Sequence, residues 1–113
     1  MNTIINQLIE LEDNPNFANY FGLIDLEEDG NYMIFGALGE LLKELLVGNI
    51  KDLDLFTKVC DIINDVTSLD DREWDNVLKL EVFSILSDSE SYELSQHLSS
   101  EASKLLIEYR DQL

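Results

Sequence analysis

The stretch from Tyr32 to Val47, YMIFGALGELLKELLV, is the feature that most constrains the fold. It is nearly all apolar, and its charged residues are limited to Glu40, Lys43 and Glu44. A helix with so narrow a polar arc is buried on most of its sides. We therefore expect a central helix here, with the rest of the chain packed around it.

Two glycines interrupt this apolar stretch. Gly36 and Gly39 each lower the intrinsic helix stability by about 1 kcal/mol relative to alanine. Glycine has no side chain, so it allows another backbone to come close. We expect a neighbouring helix to approach the central helix at these two positions.

The segment before the central helix, DLEEDG from Asp25 to Gly30, resembles the first half of a calcium loop. The twelfth loop position, which should supply a bidentate glutamate, is Gly36, so the segment is predicted to be a solvated acidic turn. A second possibility stays open: residues 23–26 and 32–35 could pair as a small β-hairpin around residues 23–35.

Apolar residues recur at helical spacing along most of the remaining chain. The pattern predicts a helix that ends near Asp13, a short helix capped by Asn14, and an amphipathic helix capped by Asn49. Capping-box spacings at Ser68 and Ser87 predict the helices that follow. The predicted fold class is all-α, with five or six helices in one domain (1–113), arranged as a compact bundle or a short stack of helical hairpins.

One carboxylate falls inside an apolar helical face. Glu81 lies one turn from both Val77 and Ile85, which are predicted to point inward. A carboxylate in that position must find hydrogen bonds or become protonated. We predict that Glu81 is a buried structural carboxylate that anchors a tyrosine or a backbone group.

The chain carries 24 acidic and seven basic residues, for a net charge of −17. Such a protein repels nucleic acid and anionic membranes and favours basic partners, although acidity can also serve solubility alone. No apolar run approaches the ~20 residues of a membrane span, and the N-terminus lacks the features of a secretion signal. The single cysteine excludes an intramolecular disulfide and a cysteine-based zinc cluster. These features predict a cytoplasmic protein.

The residues that could carry catalysis form no recognisable set. His97 is the only histidine, and Cys60 lies on an apolar helical face beside acids, which raises a thiol pKa. No phosphate-binding loop or basic-aromatic strip is present. We therefore predict no enzymatic activity, no cofactor and no metal site.

The segment Thr67-Ser68-Leu69-Asp70 resembles the attachment site of acyl carrier proteins. In that family, a serine at the start of a recognition helix follows an aspartate and carries phosphopantetheine. Here Thr67 replaces the aspartate, and a role for Ser68 as a helix cap explains the same residues. A carrier modified on Ser68 is kept as an alternative function.

The segments FGALGELLKELL and DDREWDNVLKLEVFSILSD resemble a loose family of small acidic helical immunity proteins, which occur beside polymorphic toxins in bacteria. The resemblance covers about residues 15–90 and depends on Asp71, Asn76 and Glu81 within apolar helices. It implies a cytoplasmic protein that binds and neutralises a cognate toxin.

Charge and resemblance predict the same function: a non-enzymatic immunity protein (antitoxin) for a toxin with a basic surface, such as a nuclease. An acidic surface can occupy a basic groove and gains fast association from electrostatic steering. A general acidic adaptor is the other alternative. The predicted partner-binding residues are Asp25, Glu27, Glu28, Asp29, Asp70, Asp71, Glu73 and Asp75.

Overall fold

The predicted central helix is α3, which spans Asn31–Val47. A computed structural model of the chain describes residues 2–26 and 28–112. Within these residues the chain forms helices and turns and no strand, so the predicted β-hairpin is wrong. Residues 32–35 form the first turn of α3 because Ile34 and Phe35 continue the helical spacing of the buried residues that follow them.

Seven α-helices lie in the described part of the chain, one or two more than predicted. Short non-α segments divide the C-terminal region more often than its apolar pattern indicates: a π-helical turn at Leu78–Val82 and a 3-10 turn at Phe83–Ile85. The other helices are α1 Asn2–Glu10, α2 Pro15–Phe21, α4 Leu53–Ser68, α5 Arg72–Val77, α6 Asp88–Ser95 and α7 Ser100–Asp111.

The core gathers around α3, as its apolar sequence predicts. This helix contacts α2, α4, α5, α6 and the π-helical turn. Leu38, Leu41 and Leu42 are completely buried at its centre. The molecule measures 35 × 30 × 20 Å, which suits a compact bundle rather than an extended stack of hairpins. No helix in the described residues has the length and apolarity to cross a membrane.

The two glycines of α3 face the π-helical turn, which confirms the predicted close approach. A Cβ atom at Gly39 would lie 2.4 Å from the carbonyl oxygen of Glu81 and 3.2 Å from the Cα of Val82. A Cβ atom at Gly36 would lie 3.0 Å from Glu81 Oε1. Backbone therefore opposes a side chain at Gly39, whereas a flexible carboxylate opposes one at Gly36.

Two predicted caps are confirmed. The Asn14 side chain accepts hydrogen bonds from the N–H groups of Asn16 and Phe17, with Pro15 at the first position of α2. Ser87 forms a complete capping box at the start of α6. The first helix ends three residues earlier than predicted, since α1 ends at Glu10 and residues 11–13 form a turn.

Two other predicted caps are wrong. Asp52, not Asn49, caps α4, and its carboxylate accepts a hydrogen bond from the N–H of Leu55. Ser68 is the last residue of α4 rather than the cap of the next helix, and its hydroxyl donates to the Asp65 carbonyl at 2.7 Å. Ser68 therefore does not stand at the start of a helix, as the attachment serine of an acyl carrier would.

Candidate functional site

The fold brings the two predicted acidic segments to the same end of α3. The rings of Phe35 and Trp74 meet edge to face, with centroids 5.5 Å apart. Gly30 precedes Phe35 by five residues, or about 7.5 Å of helix, and Asp71 precedes Trp74 by about 4.5 Å. We call this region the acidic end and define it by Asp25, Glu28, Asp29, Asp70, Asp71, Glu73 and Asp75. Glu27, also predicted as a contact, lies outside the described residues.

The turn at residues 25–29 is held by its own carboxylates. The N–H of Asp25 donates to Asp29 Oδ2 at 2.9 Å, and the N–H of Glu28 donates to Asp25 Oδ1 at 3.2 Å. The N–H of Asp29 donates to the carbonyl of Asp25 at 2.8 Å. The carboxylates of Asp25 and Asp29 thus stabilise the turn by accepting its backbone hydrogen bonds. Across the described residues, no three His, Cys, Asp or Glu side chains converge as a metal site would require.

At the start of α5, Asp71 is the N-cap. Its Oδ1 accepts hydrogen bonds from the N–H groups of Glu73 at 2.9 Å and Trp74 at 3.3 Å. Asp70, which joins α4 to α5, has a φ of 51°, a left-handed conformation that an aspartate tolerates better than most residues do. The carboxylate of Asp71 therefore caps α5, whereas the side chain of Asp70 is exposed.

Three carboxylates of the acidic end have no partner among the residues that the structure describes. Glu28, Asp70 and Glu73 are exposed, and their carboxylates form no hydrogen bond or ion pair within the described chain. Of the seven basic residues, four are paired elsewhere: Lys43 with Glu90, Lys58 with Asp54, Lys104 with Glu108, and Arg110 with Asp88.

Asp75 differs from the other acids of this region because it is half-buried. Its Oδ1 is shielded from solvent and has no hydrogen-bond partner among the described residues. Burial raises the pKa of Asp75; the charge of Lys79 opposes this shift, and the charges of Asp70 and Asp71 add to it. Ionised Asp75 therefore opposes folding.

Exposed apolar side chains border the acidic end, and none of them is among the residues that the sequence predicts as contacts. Leu23 is fully exposed at 101%, Met33 is 58% exposed, and Tyr32 and Leu69 are also exposed. The position of Met33 could have been deduced, because it shares a helical face with Glu40 and Glu44. The exposure of Leu23 carries no such signal, since it lies in a turn.

Glu81 is not one of the acidic-end residues, and it packs against α3. It is half-buried rather than fully buried, and its Oε1 faces Gly36. Its predicted role as a structural anchor stays a prediction. Cys60, by contrast, is a core residue, and burial, together with the charge of Asp61, raises the pKa of its thiol to about 12.

Comparisons of the chain with protein-family models, curated proteins and solved structures find no match. The resemblance to bacterial immunity proteins therefore stays a prediction.

Proposed function

We propose that the protein is a non-enzymatic immunity protein, which binds a cognate basic toxin, such as a nuclease, and neutralises it by covering its basic surface. The observation that carries the proposal is the exposure of three unpartnered carboxylates, Glu28, Asp70 and Glu73, in one region of the molecule. The resemblance adds a bacterial, cytoplasmic setting to the proposal.

Electrostatics favours a fast encounter at this surface. The acidic end contains seven carboxylates, and the cations that border it are Arg72 and Lys79. Its field attracts a positively charged partner and raises the association rate, most strongly at low salt. Glu28, Asp70 and Glu73 can pair with positive charges of a partner, and no ion pair within this protein has to break first.

The exposed apolar residues supply the second part of an interface. Leu23, Tyr32 and Met33 stand on both sides of the acidic turn. A few buried apolar or aromatic side chains carry most of the affinity of a typical interface, whereas charges at its rim set the association rate. The acidic end offers both kinds of residue side by side.

The proposal is tested with the product of the gene next to the one that encodes this chain. We expect that product to arrest growth when it is expressed alone and to be tolerated when this protein is present. Binding of the purified pair should weaken by about tenfold or more between about 50 and 300 mM salt, because exposed charges are screened.

A matched pair of variants locates the contact surface. The variant Glu28→Gln/Asp70→Asn/Glu73→Gln removes three charges from the acidic end. The control variant Asp61→Asn/Glu101→Gln/Asp111→Asn removes three exposed charges elsewhere. We expect the first to slow association about tenfold and the second about twofold. Equal effects would show that the acidic end is not the contact surface, and a harmless neighbour that does not bind would refute the proposed function.

A further inference from the structure

A groove opens at the other end of α3. The groove has a volume of about 480 Å³ and is lined by the end of α3, the start of α4 and the end of α6. Its apolar lining is formed by Leu45, Leu46, Ile50, Leu53 and Phe56. Its polar lining comprises Lys51, Asp52, Glu93 and His97.

The groove exposes apolar surface that the fold does not use. Leu53, the first residue of α4, is 77% exposed, whereas Leu55 in the same helical turn is completely buried. A polar residue at position 53 would begin the helix equally well, because Asp52 already supplies the cap. Leu53 is thus available for a contact outside the chain, together with the other apolar residues that line the groove.

The walls of the groove are fixed before any partner binds. The rings of Phe56 and His97 meet edge to face with centroids 5.1 Å apart, and His97 Nε2 lies 3.3 Å from Glu93 Oε1. Asp52 Oδ2 accepts hydrogen bonds from the side-chain amides of Asn14 at 3.0 Å and Asn16 at 3.3 Å. A preformed site loses less conformational entropy when it binds.

The rim of the groove is negative. Asp52 and Glu93 line it against one cation, Lys51. The amide donors that hold Asp52 are neutral, so its charge persists. An apolar floor with an acidic rim complements a helix that carries apolar side chains on one face and basic side chains beside them.

We propose that this groove docks an amphipathic helical segment of a partner protein, with leucine-like side chains in the groove and lysine or arginine at its rim. A second copy of this chain fits less well, since both copies would carry a charge of −17. The inference does not depend on the proposed function, because α3 separates the groove from the acidic end by about 24 Å.

The test uses the full chain, labelled with ¹⁵N, and a synthetic helical peptide made of leucine and lysine. A second peptide has glutamate in place of every lysine. We expect the lysine peptide to shift the amide resonances of the groove residues and the glutamate peptide to leave them unchanged. The variant Leu53→Ser should weaken binding of the lysine peptide about tenfold, whereas Ile107→Ser, which alters an exposed residue of α7, should change it less than about twofold.

Three results would overturn the inference. Shifts centred on residues 25–29 and 70–75 would show attraction to the acidic end instead of docking in the groove. Equal losses in Leu53→Ser and Ile107→Ser would show that the groove is not the contact. A dimer in sedimentation experiments that Leu53→Ser dissociates would show that a second copy covers the groove. None of these results depends on whether the neighbouring gene encodes a toxin.

Discussion

Carboxylates at the two ends of α3 have different surroundings. At the acidic end, Glu28, Asp70 and Glu73 have no partner within the described chain. At the groove, Asp52 is held by two asparagine side chains, and Glu93 contacts His97. The groove instead leaves apolar surface exposed.

This difference separates two ways of preparing a surface for a partner. Unpartnered charges attract from a distance and respond to salt, so the acidic end should govern how fast a basic partner arrives. Apolar surface acts only on contact, so the groove should govern how long a partner stays. Variants and pH titration distinguish whether the two ends belong to one folding unit and whether the surroundings of their charges differ.

The largest effect is expected from Gly39→Ala, which disrupts the contact in the middle of α3 that joins the two ends. The new Cβ would lie 2.4 Å from the carbonyl oxygen of Glu81, and a shift of this backbone costs more free energy than a shift of a flexible side chain. We expect the free energy of unfolding to fall by about 3 kcal/mol in urea denaturation. The control Gly36→Ala meets only the flexible Glu81 carboxylate and should change stability by less than about 1 kcal/mol.

Fluorescence of Trp74, the only tryptophan, reports on the acidic end, whereas circular dichroism reports on all helices. If the two ends form one unit, both signals should follow the same unfolding curve in Gly39→Ala as in the unchanged protein. Separate transitions would show that the ends unfold independently.

The aspartate caps at the two ends should differ in strength. Asp52 caps α4 and also binds Asn14 and Asn16 of the α2 segment, whereas within the described residues Asp71 accepts only from N–H groups of its own helix. Thermal unfolding should show a loss of about 2 kcal/mol for Asp52→Ala and about 1 kcal/mol for Asp71→Ala. Equal losses would mean that the asparagine contacts add nothing.

The helix boundary at residues 68–71 shows where the sequence was misleading. Ser68 and Asp71 have capping-box spacing, and the apolar residues on both sides fit continuous helices, so the sequence predicts the boundary three residues too early. The structure continues α4 through Ser68, because Val66 and Thr67 are still buried, and uses a left-handed Asp70 to turn the chain. Ser68→Ala should accordingly change stability by less than about 0.5 kcal/mol.

Other parts of the fold could be predicted because local and tertiary signals agree. The apolar spacing of α3 and the side-chain caps at Asn14 and Ser87 are such cases. The groove could not be predicted, since the end of α6 that lines it is distant in sequence from the connection between α3 and α4. The grouping of the two acidic segments depends likewise on tertiary contacts of α3 with α5, such as that between Phe35 and Trp74.

The pH dependence of stability should have opposite signs at Asp75 and Asp52. Burial raises the pKa of Asp75, so the stability that its protonated form contributes is lost as the pH rises through this raised value. The hydrogen bond from Asn14, followed by that from Leu55, lowers the pKa of Asp52. Its contribution is therefore present above the usual aspartate pKa and is lost as the pH falls through the lowered value.

Melting temperatures between about pH 3 and 7 test these signs. Relative to the unchanged protein, Asp75→Asn should gain stability as the pH rises, and Asp52→Asn should lose it. The change for Asp75→Asn should stay below about 1 kcal/mol, because solvent screens a half-buried carboxylate. The same sign for both variants would contradict the contrast between the two ends.

A further contrast concerns the two left-handed residues that follow helices. Gly48 closes α3 beside the groove with a φ of 84°, whereas Asp70 follows α4 at the acidic end with a φ of 51°. Glycine adopts this conformation without strain, so Asp70→Gly should raise the free energy of unfolding by about 0.5 kcal/mol, and Gly48→Asp should lower it by about 1 kcal/mol. Asp70→Asn, which removes the charge and keeps a side chain that tolerates this conformation, separates repulsion from strain.

If Asp70→Gly is more stable but associates more slowly with a basic partner, the carboxylate at this position contributes to binding at the expense of stability. Stabilisation with an unchanged association rate would instead indicate that Asp70 serves only solubility.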